Sequence, residues 1–139
     1  MKHPLVAHPV CIAAIAVLAL NDHVLKAAYP SWATGKLSDV AGLVFFPALL
    51  AVLGASSRRA VVIATIATAI CFTLVKTWVP ATDAFRWVLG TIQSPRDPVP
   101  VEAVTDPTDL LALPFVLTSY ALMALRSSHL RSPYLVHRA

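Results

Sequence analysis

Four stretches of this chain carry no charged residue: 3–21, 40–57, 60–75 and 110–125. A run of about 18 uncharged, mostly apolar residues is what a helix needs to cross the hydrocarbon core of a bilayer. The first two stretches reach that length. The last two fall short, because about sixteen helical residues cover only ~24 Å at 1.5 Å each. The third is therefore expected to continue through Lys76, Thr77, Trp78 and Val79, with the lysine reaching out to the interface. The fourth is the weakest span. The runs 12–20 and 43–53 are apolar on every side, whereas a soluble amphipathic helix keeps one polar face. They also lack the alternation of a membrane-spanning strand.

The expected fold class is all-α. The chain reads as a single polytopic membrane domain over 1–139, with transmembrane helices at roughly 4–25, 39–55, 60–79 and 108–126.

Composition excludes the main alternatives. With 58% hydrophobic and 13% charged residues, and a mean hydropathy of +0.72, the chain has too little polar surface for a water-soluble domain of its size. The net charge of +4 does not imply nucleic acid, because the cations sit at the ends of apolar runs and not in a patch interleaved with aromatics. Cys11 and Cys71 lie inside apolar runs near opposite ends of their spans, and no CxxC spacing exists, so both read as small buried hydrophobes. No metal or cofactor is expected. His23 beside Asp22, with Asp39 and Asp109, has the donor chemistry for a divalent ion, yet no compact ligand motif accompanies it.

Sidedness follows from the charges. With the amino terminus inside, the cytoplasmic segments hold Lys2, Arg58, Arg59, Arg126, Arg131 and Arg138 and no acid. The opposite side holds all seven acids, with Lys26, Lys36, Lys76, Arg86 and Arg96. The positive-inside rule then favours both termini in the cytoplasm of a bacterial inner membrane, and the doubly basic turn at Arg58 and Arg59 is its strongest local support. Trp32, Trp78 and Trp87, with Tyr29 and Phe85, form an aromatic belt at the other boundary. A rival reading takes Lys2 and the first apolar run as a cleaved signal peptide, with Val17 and Ala19 as the small-residue site.

The two halves share a pattern. Lys26 to Pro30 and Lys76 to Pro80 both read K-x-x-x-P, and Ser38-Asp39 and Thr108-Asp109 each lead into a helix with an internal proline, Pro47 or Pro114. This suggests two parallel two-helix repeats related by an axis along the membrane normal. The run Thr34-Gly35-Lys36-Leu37-Ser38-Asp39 resembles the loop, acid and helix arrangement of VanZ-like membrane proteins, without the histidine and arginine pattern of that family, and it implies no activity here. The connection 80–107 divides into a segment, 82–92, suited to a helix lying in the membrane interface, and a stretch stiffened by Pro95, Pro98, Pro100 and Pro107.

Convergence in depth marks the candidate site. Helices one and three end at Asp22, His23, Lys26 and Lys76, whereas helices two and four begin near Lys36, Asp39 and Asp109. These seven residues form the candidate ligand-binding set, at one end of the bundle, where ionisable groups pair, face the interior or serve a site. The plainer reading makes Asp39 and Asp109 helix caps, Asp22 and Lys26 a simple i,i+4 pair, and Lys76 an anchor. Lysines beside acids at headgroup depth suit a lipid phosphate or a zwitterionic group. The expected function is therefore a binding or accessory subunit, with the bilayer, lipid head groups or a larger membrane protein as partners. An oligomeric transporter or channel element and a lipid-headgroup enzyme are the alternatives. The first would use the midplane residues Thr65, Thr68, Thr118, Ser119 and Tyr120. The second requires Asp39, Asp109 and His23 within hydrogen-bond reach.

Overall fold

The structure, a computed structural model, describes residues 5–54 and 57–129; Lys2, Arg131 and Arg138 of the charge map lie outside them. Among the described residues every regular element is helical. After a short 3-10 turn at Leu5–Ala7, helix α1 (Pro9–Leu20) passes through a π-helical turn at Asn21–Leu25 into a last α-turn, α2 (Lys26–Ala28). Together they make one continuous helix, Pro9–Ala28. Helix α3 spans Trp32–Leu53, α4 Arg58–Thr77 and α5 Val79–Gln93. An extended return leads to a 3-10 helix at Pro107–Val116, which runs into α6 (Leu117–His129).

Pro9–Ala28, Trp32–Leu53 and Arg58–Thr77 are long and apolar enough to cross a membrane; Pro107–Leu122 is apolar but shorter. Their outward faces carry large hydrophobics, among them Ile12, Leu20, Leu53, Ile63, Ile66, Ile70 and Leu111. An uncompensated apolar exterior of this kind would be unstable in water and is the expected surface against lipid.

Helix α3 is the centre of the bundle, packed against α1, α4, the 3-10 helix and α6. Its core contacts are small. Cys11, Ala48, Ala51, Val61 and Ala64 form one buried cluster, with Leu122 against it. Leu43, Ala112 and Val116 form a second, with Val40, Ala69 and Phe72 against it. Small side chains let membrane helices approach closely, and dispersion and hydrogen bonding replace the hydrophobic drive that lipid does not supply. Pro47 is fully buried inside α3 and has no N–H to donate. Nearby, the fully buried Ser119 hydroxyl donates to the carbonyl of Val44 at 2.8 Å, which ties α6 to the proline turn.

Two boundaries differ from those expected. Helix α3 begins at Trp32, not near residue 39, because Ser31 and Thr34 form a capping box: Ser31 Oγ accepts from Thr34 N at 3.3 Å and Thr34 Oγ1 from Ser31 N at 3.1 Å. Ser38 and Asp39 therefore lie inside a helix and cap nothing. The run 34–39 is helical, so the loop that the VanZ-like resemblance requires is not there, and the match between the two halves weakens at the same point. Helix α4 stops at Thr77, not at residue 79, since Pro80 has no N–H for the carbonyl of Lys76, and α5 starts afresh at Val79.

The fourth apolar segment is wound as a 3-10 helix through Pro114 and rises about 2.0 Å per residue. With the first α-helical turns of α6, Pro107–Leu122 reaches about 29 Å, against ~24 Å for the same residues in a continuous α-helix.

Candidate functional site

Four of the seven candidate residues meet at the Lys76 end of the bundle. Asp109 is the hub: buried, with one oxygen, Oδ1, 2.5 Å from Lys36 Nζ and the other, Oδ2, 2.7 Å from Lys76 Nζ. Lys76 Nζ also lies 3.0 Å from Asp39 Oδ2, an ion-pair contact without hydrogen-bond alignment. Lys36 further donates to Thr108 Oγ1 at 3.1 Å. The chain of charges Lys36, Asp109, Lys76, Asp39 thus crosses α3, the 3-10 helix and α4. It is neutral in sum, and its side chains are only 10–16% exposed.

Local structure places each group. Lys36 and Asp39 are three residues apart on α3 and share a face. Asp109 sits in the first turn of the 3-10 helix, opened by Asp106, whose Oδ1 accepts from Thr108 N at 2.9 Å, with Pro107 at the first position. Lys76 lies in the last turn of α4, where a cation also suits the helix dipole. Its Nζ stands 5.6 Å from the Phe72 ring centroid, and Lys36 Nζ 4.8 Å from that of Trp32. Phe72 belongs to the apolar cluster with Val40 and Leu43, so the charges rest on an apolar floor. Such a site strengthens each Coulomb term and raises the cost of leaving any charge alone.

The other three candidates stand apart. Asp22 and Lys26 form an i,i+4 pair at 2.8 Å, with both side chains 41% exposed. Ser38 Oγ donates to Asp22 Oδ1 at 2.6 Å, so this pair is tied to α3 on the residue next to Asp39, though not to the buried cluster. His23 is exposed and makes no hydrogen bond or ion pair among the described residues. It lies one residue further round the π turn than Asp22, and its side chain does not reach Ser38 or the cluster. Among the described residues no group of three His, Cys, Asp or Glu side chains gathers as metal ligands would.

Two residues outside the candidate set prove central. Asn21 is fully buried in the π turn; its Nδ2 donates to Thr34 O at 2.7 Å and Ser38 Oγ at 2.6 Å, whereas its Oδ1 has no partner. π turns inside α-helices often mark functional positions, because the extra residue re-aims a side chain. Trp32 is 70% exposed beside Lys36, an aromatic plate at the rim. An asparagine at the end of a charge-free stretch was the available signal for the first, and the aromatic belt for the second.

The class these features define is a helical membrane protein with a neutral lysine and aspartate cluster closing one end of its bundle. No family model matches the chain, and no curated protein or solved structure shows detectable similarity to it.

Proposed function

We propose that the chain is a four-span membrane protein with both termini cytoplasmic, and that it acts as a binding or accessory protein through the charge cluster on its non-cytoplasmic face. The cluster carries this reading: Lys36, Asp39, Lys76 and Asp109 come from three separate segments to one point at the Lys76 end of the bundle. Two lysines and two carboxylates in a partly desolvated setting match a group with both charges, such as a phospholipid head group. Trp32 gives the rim of the cluster an exposed apolar plate beside Lys36. The enzyme alternative loses support because His23 bonds to neither Asp39 nor Asp109.

The test uses native mass spectrometry of protein released from bilayers of defined zwitterionic and anionic lipids. The variant is K36M/D39N/K76M/D109N, in which the charges are removed together so that none is left buried and unpaired. Wild type is expected to retain head-group lipid about tenfold more than the variant, the ratio that ~1.4 kcal/mol of lost charge-assisted bonding gives. Equal retention by the two proteins would refute the site.

The fourth span draws support from the 3-10 winding, since about 29 Å matches a hydrocarbon core of about 30 Å. Orientation is checked in a C11A/C71A background with single cysteines placed at Ser57 or Gln93. A membrane-impermeant maleimide added to intact cells is expected to label position 93 and not 57. The reverse pattern would invert the topology, and labelling of both would remove a span.

A further inference from the structure

The connection after α4 is a built object with two unlike sides. One side of α5 is covered by the returning chain at 99–105. Arg86 Nε donates to Val101 O at 3.1 Å, and Val101 N donates to Arg86 O at 3.2 Å. Thr82 Oγ1 donates to Val75 O at 2.5 Å and lies 2.8 Å from Thr105 Oγ1. Gly90 admits the strap at its closest point: a Cβ there would stand 2.1 Å from the carbonyl oxygen of Val99.

The other side is bare and apolar. Phe85, Val88 and Ile92 fall in one line at helical spacing, 37%, 60% and 68% exposed, with Trp87 beside them at 54%. The charged residues of the region, Asp83, Arg86, Arg96, Asp97 and Glu102, are off this stripe. Two observations say what covers it. Only Trp78 separates the end of the candidate span α4 from the start of α5, so α5 begins at the depth where the apolar span ends. The outward stripe of α4, Ile63, Ile66, Ile70 and Leu74, is apolar and exposed, and so are Trp78 and Val79 at the junction with α5.

We propose that α5 is an interfacial shelf. Its Phe85, Val88, Ile92 and Trp87 side is immersed at the boundary of head groups and acyl chains, in the leaflet at the Lys76 end of the bundle, and the strap at 99–105 is its aqueous cover. The shelf rests on the helix's own amphipathic build and not on the charge cluster, so it stands whether or not that cluster binds a ligand.

The test is fluorescence of a W32F/W78F variant, which leaves Trp87 as the sole tryptophan, reconstituted in bilayers of phosphatidylcholine brominated near the top of the acyl chains. Trp87 is expected to lose most of its emission to the brominated lipid and little to aqueous iodide. Quenching by iodide with none from brominated lipid would overturn the proposal. Quenching by neither, with a cysteine at Val88 cross-linking to a second copy, would overturn it too, since the stripe would then be a protein interface. A second variant, Gly90→Val, displaces the strap without touching the stripe. It is expected to keep the brominated-lipid quenching while residues 99–105 become cleavable by added protease; loss of that quenching would show that the strap, not the bilayer, holds α5 in place.

Discussion

Replacing Asp109 by alanine is expected to lower the unfolding free energy by about 3 kcal/mol, the scale seen when one partner of a buried ion pair is removed. The size follows from position. Among the described residues Asp109 alone touches both lysines, with a separate oxygen for each, and it is buried. Without it, Lys36 keeps Thr108 and the Trp32 face, and Lys76 keeps one unaligned contact with Asp39. Two ammonium groups would then face each other across an apolar floor with one carboxylate between them. Alanine at Lys26 is the control: it removes only the half-exposed pair with Asp22, which keeps its bond from Ser38, and water replaces the ammonium at a cost of about 0.5 kcal/mol. Equilibrium unfolding in mixed micelles measures both. Similar losses from the two variants would mean that the buried cluster contributes no more than an ordinary surface pair.

The contrast with the neutral quadruple variant separates structure from function. A buried ion network is costly to break and cheap to remove whole. Asp109→Ala should therefore unfold easily, whereas K36M/D39N/K76M/D109N should fold nearly as well as wild type. If that variant also keeps its lipid, the cluster is a latch between α3, α4 and the 3-10 helix and nothing more.

Much of this arrangement could be read from the residues. Runs without charge or strand-like alternation marked where helices long and apolar enough to span would lie, since a lipid-exposed backbone outside a closed barrel must satisfy its polar groups within a helix. Direction along the chain then put Lys36, Asp39, Lys76 and Asp109 at one end, which is why four candidates met. What depth cannot give is angle. His23 and Asp22 are neighbours in sequence, yet of the two only Asp22 meets Ser38 of α3, and only packing against α3 decides which counts. The start of α3 was hidden because Ser38-Asp39 imitates a cap, while the true box at Ser31 and Thr34 sits directly after Pro30. The 3-10 winding left no trace, since ten mostly apolar residues carry no polar face from which a period of 3.0 could be told from one of 3.6. The strap at 99–105 is held by Arg86 on the Val101 backbone, by Thr82 on Thr105 and by the absence of a side chain at Gly90, a scattered set that no motif records.

Leucine at both Ala48 and Ala51 is expected to cost about 2–6 kcal/mol, from overpacking of about 1–3 kcal/mol at each site. Both alanines are fully buried on the face of α3 that meets Cys11 of α1 and Val61 and Ala64 of α4. With both alanines at 0% exposure, the added carbons press on Cys11, Val61 and Ala64. The helices must part, and in lipid that loss is not offset, because packing itself holds membrane helices together. Separation here also strains the Ser119 bond to the Val44 carbonyl, one turn before Ala48, so α6 loosens with α4. The comparison is Leu50→Ala with Leu53→Ala, on the same helix but 40% and 77% exposed. Those side chains face lipid, and their truncation should move the unfolding midpoint little. If the leucine pair is tolerated as easily as the alanine pair, the close approach of α1, α3 and α4 is not what sets the geometry of the cluster above it.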